Sequence, residues 1–271
     1  MSGPRIQVVG LVVLAAVTTG QFRSLLPIAA AENSQAAAKT WLEERVREFE
    51  EYQFEREYKG MPKLELESRS LLNWSNAERG TNQGALFLWT HEGRPQLIAC
   101  AFEWGGSLKH EFHSLCTDPI LLKRGDTTHR FDAGIEWAKL DGAPKPAATR
   151  ALRLAQMRRQ AERFRVTIGH KEWAETRLLP HPVFRSPESA SGDVAVFVFV
   201  QGTDPECTLL LDATSEGMWR YGLARQTKWG LKAELDGHLA WERTPNHRPD
   251  ATRNTPFLVL PQKPRTAQGR P

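Results

Sequence analysis

Cysteine is scarce in this chain of 271 residues. Only Cys100, Cys116 and Cys207 are present, which excludes a fold held by a dense disulfide framework. At most one bridge can form, and the sequence leaves open whether any two of the three pair. Long apolar runs are missing as well. Beyond residue 31 nothing approaches the ~18 consecutive apolar residues of a membrane helix, so no stable span is expected once the N-terminal segment is removed. A surplus of one charge is also lacking. The net charge is +4, and removing Arg5 and Arg23 with the first 31 residues lowers it to +2. Acids and bases are interleaved, as in Glu43-Glu44-Arg45, so nucleic acid is not an expected partner. Gly-x-Ser-x-Gly, a phosphate-cradling glycine loop and a dinucleotide fingerprint are all absent, and no cofactor or metal is expected.

What is present begins at the N-terminus. Arg5 precedes an apolar run, Ile6 to Val17, and small residues follow, ending in Ala29-Ala30-Ala31 before Glu32. That order of charge, apolar stretch and Ala-x-Ala is the layout of a signal peptide over residues 1–31, with a cut after Gly20 as the alternative. Export to the periplasm, envelope or exterior is the expectation. All 271 residues taken together are 40% apolar and 25% charged, an ordinary globular balance.

Two helices are expected. Thr40 and Glu43 form a capping box, with Leu42, Val46 and Phe49 on the buried face and an end near Tyr58. A second helix spans Ala147 to Val166, with Leu154, Met157, Ala161 and Phe164 at helical spacing. Between and after them lie apolar runs read as hairpins: Ala85–Trp89 with Leu97–Phe102, and Val196–Gln201 with Cys207–Asp212. The second matches the first at offsets near 110, Leu86 to Val196 and Pro95 to Pro205. The expectation is therefore an α+β fold of two pseudo-repeats of about 109 residues, each a helix followed by an antiparallel sheet, packed together because both faces of the apolar strands need cover. Residues 36–143 form the first unit, 147–243 the second, and 244–271 a disordered tail rich in Pro and Arg. The tetrad Phe257–Leu260 is the exception in that tail, suited to a sheet edge or a partner.

Several stretches resemble an uncharacterised family of exported proteins from planctomycete-type bacteria. They are Gly84–Thr90 with Gly93-Arg94-Pro95, His110–Leu115, Val198–Glu206 and Tyr221–Arg225. The resemblance covers roughly Trp41 to Trp241. It implies export and a bacterial source, and brings no activity or catalytic residue.

Candidate chemistry is thin. His110-Glu111-Phe112-His113 lacks the i, i+4 spacing with which a helix presents two imidazoles to one zinc ion. On a strand His110 and His113 face opposite sides. They remain, with Glu111, the only catalytic candidates, for an exported hydrolase. Tryptophan is plentiful, nine in all, and core packing accounts for most; Trp104, before Gly105-Gly106, is singled out for exposure. Asp204 and Glu206 flank Pro205 in a loop that reads foremost as a hairpin turn, yet the matching positions are Arg94-Pro95-Gln96, without those acids. Trp104, Asp204 and Glu206 thus make the candidate binding surface. The leading expectation is a non-catalytic exported module with a protein or envelope partner. The alternatives are the hydrolase and a curved sheet holding a small ligand.

Overall fold

The computed structural model describes residues 28–56, 63–169, 171–188, 192–246 and 255–262. Most of the expected signal peptide lies outside them. Two units are distinguished, 1–39 and 40–271, and the second carries every strand among the described residues.

Helix α1 (Ile28–Glu50) is followed by β1 (Gln53–Arg56), β2 (Glu65–Leu66) and β3 (Leu72–Asn76). A short 3₁₀ turn, Ala77–Arg79, leads into the long strands β4 (Thr81–His91), β5 (Arg94–Trp104) and β6 (Ser107–Ser114). Then come β7 (Ile120–Arg124), β8 (Thr127–Phe131) and β9 (Ala138–Lys139). Helix α2 (Arg150–Ala161) opens the second half, with β10 (Phe164–Gly169), β11 (Trp173–Glu175), β12 (Arg177–Leu178) and β13 (Phe184–Arg185). The chain closes with β14 (Asp193–Gln201), β15 (Asp204–Ala213), β16 (Trp219–Arg225), β17 (Gly230–Leu235), β18 (His238–Arg243) and β19 (Phe257–Pro261).

These strands form four antiparallel sheets, in the orders β1-β7-β8, β11-β10-β17-β18, β12-β14-β15-β16-β9 with β13 also on β14, and β19-β6-β5-β4-β2 with β3 also on β4. The expected α+β pair of repeats is therefore corrected. Strand makes up 52% and helix 15%, with only two helices among the described residues. A helix followed by one sheet is not the building unit. Strands from residues 36–143 divide among three sheets, β9 from that span pairing with β16. The strand β19, from the expected tail, pairs with β6.

The apolar runs explain this layering. In β4, Ala85, Phe87 and Trp89 belong to one core with Phe49, Phe54 and Phe112. Leu86 and Leu88 point the other way, into a core shared with Val194, Val196, Val198 and Leu210. Strand alternation sends neighbours to opposite faces, and here both faces are buried, so the run is continuously apolar. The β4–β6 and β14–β16 sheets thus meet face to face. A third core joins Met157 and Ala161 of α2 to β10, β17 and the far face of β14–β16.

Helix boundaries shift from those expected. Thr40 lies inside α1 rather than at its start, since the alanine-rich segment before it is good helix former. Thr149 caps α2 by accepting from the Leu152 N–H at 3.4 Å. Phe164 falls in β10, where Val166 and Ile168 alternate with Arg165 and Thr167 about a buried face.

Candidate functional site

At one end of the face-to-face core lies a cavity of about 460 Å³. The ends of β4 and β5 supply Thr81, Cys100, Phe102 and Trp104; β6 supplies Lys109 and Glu111; β15 supplies Asp204 and Glu206. Arg79, the loop Gln226–Trp229 and Val259 of β19 complete it. Trp104, Asp204, Glu206 and Glu111, each singled out in the sequence, are brought together. His110 and His113 lie elsewhere.

The hairpin turns set the rim. Gly105 and Gly106 have φ of 58° and 72°, left-handed values that glycine adopts without strain, and Trp104 stands at that turn half exposed. On β15 the pairing slips: Phe199 faces Cys207 while Val200 faces Pro205. Glu206 is the extra residue of this bulge, a device that re-aims a side chain. Its carboxylate receives a short contact from Arg79 Nη1, which also lies 3.3 Å from Asp204 Oδ2. Arg79 Nη2 donates to Gln201 Oε1, and Asn76 Nδ2 to the Gln201 carbonyl at 3.3 Å. The acidic loop is thus both turn and cavity wall, and Arg79 bridges it to the segment after β3.

Burial governs the electrostatics. Glu111 is buried, its Oε1 meets no partner, and its pKa rises well above the ordinary carboxylate range, from desolvation first and then from Asp204 and Glu206. Burial lifts Asp204 to about 6, against Arg79. Burial and the Asp204 charge lift Glu206 to about 8. Gln226 is also buried, with neither Nε2 nor Oε1 bonded. The cavity therefore has a floor of unpartnered, largely neutral hydrogen-bonding groups.

Arg225 holds the loop that carries Gln226. Its Nε donates to the Thr227 carbonyl at 2.8 Å and its Nη2 to the Trp229 carbonyl at 2.5 Å. The Lys228 ammonium sits 5.1 Å from the Trp104 ring centre and 5.6 Å from that of Trp229, so the two indoles flank one space.

The two histidines have different work. His110 Nδ1 is 2.9 Å from Tyr52 Oη, and Nε2 is 3.2 Å from Glu48 Oε2. Tyr52 accepts from Arg124 at 2.8 Å and Gln262 at 3.2 Å, which leaves its proton to donate to Nδ1. The Nε2–H of His110 then faces Glu48, itself paired with Arg45 at 3.0 Å. Burial lowers the His110 pKa despite Glu48, so the ring is a neutral link in a core relay. His113 has Nε2 3.1 Å from the Gly134 carbonyl, and burial lowers it to about 3.

No family model, curated protein or solved structure matches the chain.

Among the described residues no group of three or more His, Cys, Asp or Glu is placed to hold a metal ion. Likewise no helix there is long and apolar enough to cross a membrane. Cys100, Cys116 and Cys207 are buried, and none of them is in a disulfide. Sequence reasoning missed Arg79, Gln226, Lys228 and Trp229. No motif marks them, since their role comes from loops that meet only after the sheets stack.

Proposed function

We propose that the chain is an exported, non-catalytic binding protein whose cavity holds a small polyhydroxylated ligand of the sugar class. The observation that carries this is the pair of buried, unpartnered side chains, Glu111 and Gln226, in a cavity flanked by Trp104 and Trp229. A buried polar group without a partner costs ~1–3 kcal/mol, and ligand hydroxyls can recover it by both donating and accepting. Indole faces beside such groups suit the apolar faces of a sugar ring, and the cavity has the size of a small-molecule site.

Charge argues against a cationic ligand. Arg79, Lys109 and Lys228 already line the cavity, while Glu111 and Glu206 are pushed towards their neutral forms. Export is proposed on the N-terminal layout of Arg5, the apolar run and Ala29-Ala30-Ala31. Glu111 and His110 supply no joint acid–base pair in this reading, because β6 sends Glu111 to the cavity and His110 to the opposite face.

Calorimetric titration of the full chain with neutral and acidic mono- and disaccharides is the test. At least one is expected to bind, with affinity falling about tenfold or more in Gln226→Ala. Undiminished affinity in that variant contradicts the reading.

A further inference from the structure

A second, more open cavity of about 600 Å³ adjoins the first. Arg79 and Trp229 belong to the walls of both. Its other lining includes Gly169, Trp173 and Gln201. Gln201 also bonds Arg79, so the dividing wall is built of one guanidinium, its partner and one indole.

Trp104, Trp173 and Trp229 are exposed at 51%, 40% and 40%, and they make up half of the large apolar side chains exposed among the described residues. Three exposed indoles gathered on two joined cavities are not explained by core packing. Backbone register places them in sequence. Trp173 pairs with Gly169, and Gly169 pairs with Gly230, the residue after Trp229. Two strand spacings put Trp173 about 10 Å from Gly230. Gly169 and Gly230 carry no side chains, and the Trp173 ring and Pro245 pack over Gly230. A Cβ on Gly230 would lie 2.7 Å from the Gly169 carbonyl oxygen and 3.2 Å from the Trp173 ring. Lysine ammonium groups accompany all three rings: Lys228 over Trp104 and Trp229, and Lys232 at 4.6 Å from Trp173. Each of the three rings therefore carries a lysine head group over one face.

We propose that the ligand is a linear oligosaccharide which runs from the Glu111–Gln226 cavity across Trp229 to Trp173. This rests on the sugar reading of the first cavity and adds chain length to it. The first cavity, with its buried polar floor, holds one end of the chain by hydrogen bonds. Trp229 stacks on a middle unit, and Trp173 on a unit beyond. Glu111 and Gln226 recognise hydroxyls, while Trp173 recognises only that another ring follows.

Affinity measured against chain length tests this. Ladders of one to six units of β-1,4-linked glucose, β-1,4-linked N-acetylglucosamine and α-1,4-linked galacturonate are titrated by calorimetry into the full chain. For a ladder that binds, affinity is expected to rise about tenfold or more between one and four units and then level off. Trp173→Ala is expected to abolish that rise while leaving the single-unit affinity intact, and Trp173→Phe to restore most of it. Gln226→Ala is expected to weaken every length alike. Binding of equal strength at one and four units, or an undiminished rise in Trp173→Ala, overturns the proposal and leaves the sugar reading standing. Absence of binding by any ladder at any length, together with silence from the mono- and disaccharide panel, overturns both.

Discussion

Glu111 and His110 are neighbours along β6 with unrelated surroundings. The strand sends Glu111 to the cavity and His110 to the core beside Phe49 and Tyr52. A consequence can be measured. The folded-state pKa of Glu111 lies above its unfolded value, so the folded protein holds that proton more tightly. The associated stability is complete below about pH 4.5 and declines as pH rises towards the folded value. Glu111→Gln removes this dependence. Urea denaturation is expected to find the variant close to wild type near pH 4 and more stable by on the order of 2 kcal/mol near pH 9. A variant weaker at every pH contradicts a neutral Glu111. His113 acts in the opposite sense. Its pKa falls to about 3, so its contribution is complete above about pH 6.5 and is lost on acidification in both proteins.

Among the elements, β19 is the least obvious from sequence. Thr244 to Pro271 has the composition of a disordered segment, and only Phe257–Leu260 suggests otherwise. In the structure Leu258 faces Phe112 and joins the core of Phe87 and Trp89, while Val259 faces Glu111 and reaches the cavity. This strand covers the β6 edge, which would otherwise present unpaired backbone groups. Leu258→Ala is expected to destabilise the protein by about 2–4 kcal/mol, measured by chemical denaturation. A loss below about 0.5 kcal/mol, typical of surface positions, contradicts a β19 built into the core. The hairpins were legible because long apolar runs bounded by Gly and Pro carry a local signal. The helix ends were not, because alanine-rich sequence extends α1 backwards and Phe164 keeps helical spacing while sitting in β10. The sheet grouping was hidden for another reason. Pairing of β9 with β16 and β19 with β6 joins segments far apart in the chain, and no local spacing encodes it.

At the scale of the whole molecule, the cavity exists because two sheets meet over one core and part at its end. Glu111 comes from one, Asp204 and Glu206 from the other, and Arg79 ties across. Trp104, Asp204 and Glu206 stood out singly in the sequence through a Gly-Gly turn and acids that Arg94 and Gln96 replace beside the matching Pro95. That they face a common space depends on the stacking, as does the part played by Gln226 and Trp229. On the proposed reading this space receives a sugar. A crystal structure of the full chain soaked with the tightest-binding saccharide is the decisive measurement. A sugar ring is expected between Trp104 and Trp229, with hydroxyls within hydrogen-bond distance of Glu111 and Gln226, about 2.6–3.2 Å. Saccharide bound elsewhere, with Glu111 and Gln226 still unpartnered, would contradict it.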